Sequence, residues 1–285
     1  MASSDPRPSA ASGDFARVFP EVSHTIAVAS GKGGVGKSTV AVNLAACLAA
    51  TRGVRVGLLD CDVYGPSLPV MMGISERPEI DPATQILKPL EKGGLKLMSM
   101  GFLSDADTPV IWRGPMVHKM VTALMQQVDW GKLDYLVLDL PPGTGDTQLT
   151  ITQTAPLTGA VIVTTPQDVS LADARKGLRM FQQVNVPVLG IVENMSYFVC
   201  DQCHKRHEIF RHGGGGRTCD ELGVPFLGEI PLDPPVTQGG DAGQPVVVSS
   251  PHSPASRAFH EFAAKVVAQV RLAASARVDL PSLEQ

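Results

Sequence analysis

Short apolar runs punctuate the chain at residues 25–29, 55–60, 133–139, 160–164, 186–192 and 225–230. Runs of this length that do not alternate with polar residues predict strands buried on both faces. Helical periodicity fills the intervals. Residues 40–50 are rich in strong helix formers, and Met116, Met120, Val121, Leu124 and Val128 make an apolar stripe that Pro115 can open. Leu171, Ala174, Leu178 and Phe181 make a second stripe, a short helical pattern covers 217–222, and Phe259, Phe262, Val266, Val267 and Val270 line one face of 256–274. Strands alternating with helices over short connections predict an α/β fold: a single doubly wound, mostly parallel sheet flanked by helices. The pattern loosens between 79 and 107, where Gly93-Gly94, set between Ile86-Leu87 and Leu95-Lys96-Leu97, predicts a hairpin at the sheet edge.

Residues 1–23, rich in Ser, Ala and Pro, read as a disordered tail, residues 24–278 as one domain, and residues 279–285 as a loose C-terminus. The chain has 285 residues, 44% of them hydrophobic, enough for a substantial core. A formal net charge of -4 with no run of five like charges argues against a protein that coats nucleic acid or a membrane surface. No apolar stretch approaches the length of a membrane span. The tail lacks the apolar centre of a secretory signal, and Asp5, Asp14 and Glu21 are the wrong sign for an organelle leader. A cytoplasmic location is therefore expected, with a mitochondrial or other organelle location as the alternative. Five cysteines, an odd number, do not make a disulfide framework, and Cys47, Cys61 and Cys219 read as structural.

The strongest chemical signal runs from Ser30 to Thr39. Residues Gly31 to Ser38 fit the phosphate-loop pattern G-x-x-x-x-G-K-[ST], between a predicted strand and a predicted helix. Gly31, Gly33, Gly34 and Gly36, with Val35 between them, let consecutive backbone N–H groups turn toward a polyphosphate, aided by the helix N-terminus. Lys37 is placed to reach the β- and γ-phosphates, Ser38 to ligate Mg²⁺, and Thr39 to bond the α-phosphate. Lys32 is a second lysine that an ordinary loop does not need. With it the stretch resembles the deviant Walker A loop of partition-type and iron-protein-type ATPases. That resemblance implies a nucleotide-sandwich homodimer in which Lys32 crosses to the nucleotide of the partner.

Carboxylates end two of the predicted strands. Asp60 and Asp62, spaced by two, share a side if the chain stays extended, so that one holds the metal's water shell and the other orients an attacking water. Ser67 is a candidate cap for a following helix. Asp139 ends the run 133–139 and fits a Walker B carboxylate for Mg²⁺. The loop Pro141-Pro142-Gly143-Thr144-Gly145-Asp146 after it can bring the Gly143 N–H to a γ-phosphate. Arg113 is either a contact to phosphate or to a partner, or a surface residue. Asn194 offers both a donor and an acceptor to an adenine edge, or is simply a turn residue.

Between Asn194 and the last strand lies Cys200-Asp201-Gln202-Cys203-His204, inside a candidate metal-binding segment at about 196–217. C-x-x-C supplies two ligands where zinc and cubane clusters usually take four. A twofold dimer would complete a four-thiolate set. Other readings of the same residues are zinc held by Cys200, Cys203, His204 and His207 within one chain, the C-x-x-C-H haem pattern, and thiol redox chemistry.

Taken together, Lys32 to Thr39, Asp60 to Ser67, Asp139 to Asp146, Glu193-Asn194-Met195-Ser196 and the cysteine pair resemble the Mrp/ApbC family of iron-sulfur cluster carrier ATPases, over about residues 23 to 272. The resemblance implies ATP binding with slow hydrolysis, a homodimer, and a labile 4Fe-4S cluster bridged by Cys200 and Cys203 and passed to apo iron-sulfur proteins. It also implies Lys32 and Asp62 in catalysis and Asn194 at the adenine. Many relatives have proline after the first cysteine, where this chain has Asp201. A partition-type ATPase acting on DNA or membrane would want a basic face or terminal helix, whereas Arg257, Lys265 and Arg271 are the only lysines or arginines in 256–274. An electron-donating iron protein places its cysteines nearer the nucleotide-responsive loops, and residues 141–150 contain none.

Overall fold

The computed structural model describes residues 18–103 and 114–278. In chain order its strands are β1 (Val22–Ser30), β2 (Val56–Asp60), β3 (Leu90–Lys92), β4 (Leu95–Ser99), β5 (Leu133–Asp139), β6 (Gly159–Thr164), β7 (Val188–Glu193), β8 (Phe198–Val199), β9 (Arg206–His207) and β10 (Phe226–Glu229). Among the described residues eight of them form one sheet in the order β10-β7-β6-β1-β5-β2-β4-β3, while β8 and β9 pair apart as an antiparallel hairpin. Every pairing in the large sheet is parallel except the β3–β4 edge.

The helices are α1 (Lys37–Ala49), α2 (Leu68–Met72), α3 (Gly114–Gln126), α4 (Asp146–Thr154), α5 (Asp168–Gln183), α6 (Gly214–Leu222), α7 (Pro234–Asp241), α8 (Val246–Ser249) and α9 (Pro254–Val278). Alternate residues of β1 divide the interior between two layers. Ile26 and Val28 face a core with Leu44 of α1 and Phe259, Phe262 and Val266 of α9, whereas Ala27 and Ala29 face one with Val121 and Leu124 of α3 and Leu178 and Phe181 of α5. Phe181, Phe259 and Phe262 are fully buried, each contributing about 1.5–3 kcal/mol of transfer free energy. Helices on both faces explain why the strands read as continuous apolar runs. No helix among the described residues is long and apolar enough to cross a membrane.

Several boundaries differ from the sequence expectation. Val18 and Phe19, assigned to a tail ending at residue 23, are buried against the α3 layer, and β1 already begins at Val22. The expected tail thus loses residues 18–23 to the domain; residues 1–17 and 279–285 lie outside the described residues, as does Arg113. The edge hairpin turns at Gly93-Gly94 as expected, but its first strand is Leu90–Lys92. Leu87 instead bridges Ile80 and Val128.

Candidate functional site

Parallel pairing brings the C-terminal ends of β1, β2, β5 and β7 to one edge of the sheet, where α/β folds bind ligands. The register sets Val28 of β1 and Asp60 of β2 each beside Asp139 of β5. Ser30 then leads into the loop, its hydroxyl bonding the Lys32 carbonyl at 2.9 Å, and α1 begins at Lys37. Gly36 has φ 79°, in the left-handed region, and a Cβ there would overlap the Asn194 amide. A Cβ at Gly31 would overlap the Asp173 backbone of α5, so the loop is seated on a neighbouring helix. Gly33 and Gly34 are exposed and Val35 is buried.

Lys37 is only 6% exposed, and its ammonium is ion-paired with Asp139 and lies 3.2 Å from the Ser38 hydroxyl. Asp60 is also buried. Its Oδ2 accepts from the Ser67 and Leu68 N–H groups and, at 3.0 Å, from the Ser99 hydroxyl, while its Oδ1 accepts from the Asp62 N–H. Burial, with Asp139 nearby, pushes the Asp60 carboxyl up to about 7. Asp139 is raised too, first by burial, against the pull of Lys37. Two buried carboxylates therefore share one lysine, and the remaining negative charge and hard oxygen donors suit a divalent cation such as Mg²⁺. Ser38 stands beside this pair at the first turn of α1.

Asp60, not the Ser67 side chain, caps α2: Ser67 occupies the cap position, but its side chain makes no capping bond. The strand also does not continue to Asp62, and the chain bends at residues 63–65. β2 ends at Asp60, and the Asp62 carboxylate turns outward to accept the Gly65 N–H at 3.2 Å. The two acids thus face different surroundings, one sealed and one at the solvent edge. Gly143 likewise departs from expectation, since its N–H is bonded to the Ser30 carbonyl at 3.0 Å.

Lys32 is half-buried and, among the described residues, has no ion-pair partner. Thr39 and Asn194 line a cleft of about 200 Å³ together with Val70, Met71, Leu232 and Val236, a largely apolar space beside the loop. Asn194 also donates to the Val35 carbonyl at 2.9 Å, so one edge of its amide is fixed to the loop.

Cys200 and Cys203 occupy the turn between β8 and β9. The Cys200 N–H bonds Lys205 O at 3.0 Å and its carbonyl accepts the His204 N–H at 2.9 Å, which closes the turn. Cys200 is half-buried and Cys203 exposed. Hydrogen bonds from the Cys203 and Gln202 backbone hold the Cys200 thiol below its usual range. Among the described residues no group of three or more His, Cys, Asp or Glu is placed to hold a metal ion, so His204 and His207 do not complete a single-chain set. Cys47, Cys61 and Cys219 are buried, and burial pushes Cys47 up to about 12, Cys219 up to about 11 and Cys61 well above 9.

Residues without a local sequence signal hold this hairpin. Arg206 stacks 3.7 Å over the Tyr197 ring and pairs with Glu208 at 2.6 Å and with Glu229 of β10 at 2.9 Å. Ser99, the donor to Asp60, carries no local signal either, because its partner lies 39 residues away.

The model of the family described as "ParA: NUBPL iron-transfer P-loop NTPase" matches residues 21–267. The iron-sulfur cluster carrier protein of Synechocystis sp. is 53% identical over 258 residues, covering 89% of this chain and 73% of the relative. The iron-sulfur cluster transfer protein NUBPL of Mus musculus is 51% identical over 251 residues, covering 88% and 78%. Among solved structures, a nucleotide-binding protein in complex with ADP from Archaeoglobus fulgidus superposes with TM-score 0.71 at 39% identity, covering 81% of this chain and 90% of the other. With the loop, the paired carboxylates and the doubly wound sheet in place, this chain belongs to the NUBPL iron-transfer P-loop NTPases of the ParA group.

Proposed function

We propose that this chain is an ATP-binding and hydrolysing carrier that holds a 4Fe-4S cluster between two copies of itself and passes it to apo iron-sulfur proteins. The observation that carries the reading is the placement of two accessible thiols on a hairpin that grows from the strand end bonded to the phosphate loop. Two thiolates per chain are half of a cluster's usual ligand set, and a twofold axis supplies the other half. The relatives' names as carrier and transfer proteins support the same cargo.

In this reading Gly31 to Thr39 cradle the phosphates, Lys37 leaves Asp139 for the β- and γ-phosphates, and Asn194 orients the base over the cleft. Ser38, Asp60 and Asp139 are the residues that would hold Mg²⁺, which would supply positive charge at the phosphates. Asp62, at the solvent edge, orients the attacking water. Lys32, which has no ion-pair partner among the described residues, reaches the nucleotide of the second subunit. The cluster is cargo, released from an exposed turn to the recipient.

The test is anaerobic reconstitution of the full chain with iron and sulfide, read by absorption and by iron, sulfide and zinc analysis. Cys200→Ala and Cys203→Ala should each abolish iron incorporation while ADP affinity stays unchanged. Iron content equal to the unmodified chain in both variants overturns the carrier reading, and zinc in place of iron converts it to a zinc-bridged dimer.

A further inference from the structure

The cysteine segment is tethered at both ends to one side chain. Glu193 ends β7 and is fully buried. Its Oε1 accepts the Ser196 hydroxyl at 2.7 Å, where the chain leaves the sheet. Its Oε2 accepts the Gly215 N–H at 2.6 Å, where the chain returns in the first turn of α6. Cys200 and Cys203 lie between these anchors. Among the described residues no cation pairs with Glu193, so the two hydrogen bonds and the helix N-terminus carry its charge. There is no slack at the contact, since a Cβ at Gly215 would lie 2.8 Å from Oε2.

The next residue points the other way. Asn194 donates to Val35 in the phosphate loop, and its backbone N–H bonds Thr164 of β6 at 2.8 Å. Adjacent residues at a strand end face opposite sides. One dipeptide therefore touches the loop on one side and both ends of the hairpin segment on the other. The end of β10 adds a second line of bonds to the same segment, from Ser196 N–H to Ile230 O at 2.9 Å and from Leu232 N–H to Tyr197 O at 2.7 Å.

We propose that Glu193 is a positioning residue that transmits occupancy of the phosphate loop to the cysteine hairpin. A shift of Val35 on nucleotide binding moves Asn194, and Glu193 carries that movement to Ser196 and Gly215 together. A packed interior transmits such a shift rather than absorbing it. Because both ends answer to one carboxylate, the hairpin is displaced as a unit. The inference rests on reading the loop as a nucleotide site, and it needs no cluster to be tested.

Hydrogen exchange of the cluster-free full chain, with and without Mg-ADP, reads the effect in peptides spanning 196–217. The unmodified chain should change its exchange rate there by about fivefold or more on Mg-ADP addition. Glu193→Gln keeps the shape but sets an amide against one of the two donors. It should bind Mg-ADP with the same affinity and lose most of that response, whereas loss confined to nucleotide affinity would contradict a positioning role. Ser196→Ala, a milder change that removes only the entry tether, should reduce the response near 198–203 and keep it near 213–217. A response of unmodified size in both variants overturns the proposal, as does Mg-ADP binding to the unmodified chain with no change in the hairpin. Failure of the unmodified chain to bind Mg-ADP at all overturns the phosphate-loop reading first, and the inference with it.

Discussion

Two glycines of the phosphate loop share a backbone conformation and differ in their surroundings, which turns the Asn194 contact into a measurable quantity. Gly34 has φ 80° and Gly36 φ 79°. Alanine at either position costs about 1–2 kcal/mol for the left-handed conformation, partly offset in both by the lower entropy of the unfolded chain. At Gly34 the added Cβ meets nothing within 4 Å. At Gly36 it overlaps Asn194 Nδ2, so the amide must withdraw and its buried bond to Val35 O is lost. Leaving those groups unpaired adds about 1–3 kcal/mol. Gly36→Ala should therefore exceed Gly34→Ala by about 1–3 kcal/mol in urea unfolding without nucleotide. Asn194→Ala removes the obstruction, so in its background Gly36→Ala should cost no more than Gly34→Ala does. The resulting coupling energy should be at least about 1 kcal/mol. Equal losses at the two glycines, or additive losses in the double variant, would refute the reasoning that this amide is wedged against the loop.

Burial divides the cysteines, so native-state maleimide labelling at pH 7.5 should add two adducts, at Cys200 and Cys203, and five after denaturation, read by intact mass. Native labelling at Cys47, Cys61 or Cys219 would contradict their packing. Lys32→Ala should keep ADP affinity and lose ATP turnover about 100-fold or more, as removal of a charge on the transferred phosphoryl group does; normal turnover would separate the two subunits' sites. Asp60 gives a pH dependence of defined sign. Its folded carboxyl titrates at about 7, above the ordinary 3.8, so the native state binds more protons than the unfolded state across that window. The stability from this group is whole below the lower value and falls as pH rises to the upper one. Without nucleotide, the Tm of Asp60→Asn relative to the unmodified chain should rise from pH 4 to pH 7 and level above it, and a flat difference would contradict the raised titration.

The features legible in the sequence are those fixed locally. Apolar runs such as 133–139 become buried strands whatever their neighbours, and a glycine loop between strand and helix has few alternatives. Partners set by tertiary packing left no local signal. Ser67 has the residue type and position of a cap, yet Asp60 reaches across the turn and offers the two N–H groups a stronger, charged acceptor. Asp62 has the right spacing for a shared face, but spacing implies a face only while the strand continues, and here β2 ends at Asp60 and the chain bends at residues 63–65. Val18 and Phe19 sit in a polar, Pro-containing context and are buried only because the α3 layer leaves them a place. Glu193 was visible as a lone acid ending an apolar run, and its two distant donors were not.

A nucleotide site and a cargo site make opposite demands on their surroundings. Phosphoryl chemistry gains from a dry, fixed setting, and the Lys37–Asp139 pair is sealed accordingly. In the proposed reading a cluster that leaves needs open thiols, and Cys203 is exposed. Only five residues separate Asn194 from Cys200, so the transition from sealed to open has to occur at once. Met195 makes it, at φ 54°, a left-handed turn that a methionine rarely adopts without compensation. The compensation is present on both sides, in the Asn194 bond to the loop and the Ser196 bond to Glu193. The strained turn thus sits at the point where the chain passes from the buried strand end to the exposed hairpin. Its two flanking bonds join the phosphate loop on one side to the Glu193 tether on the other.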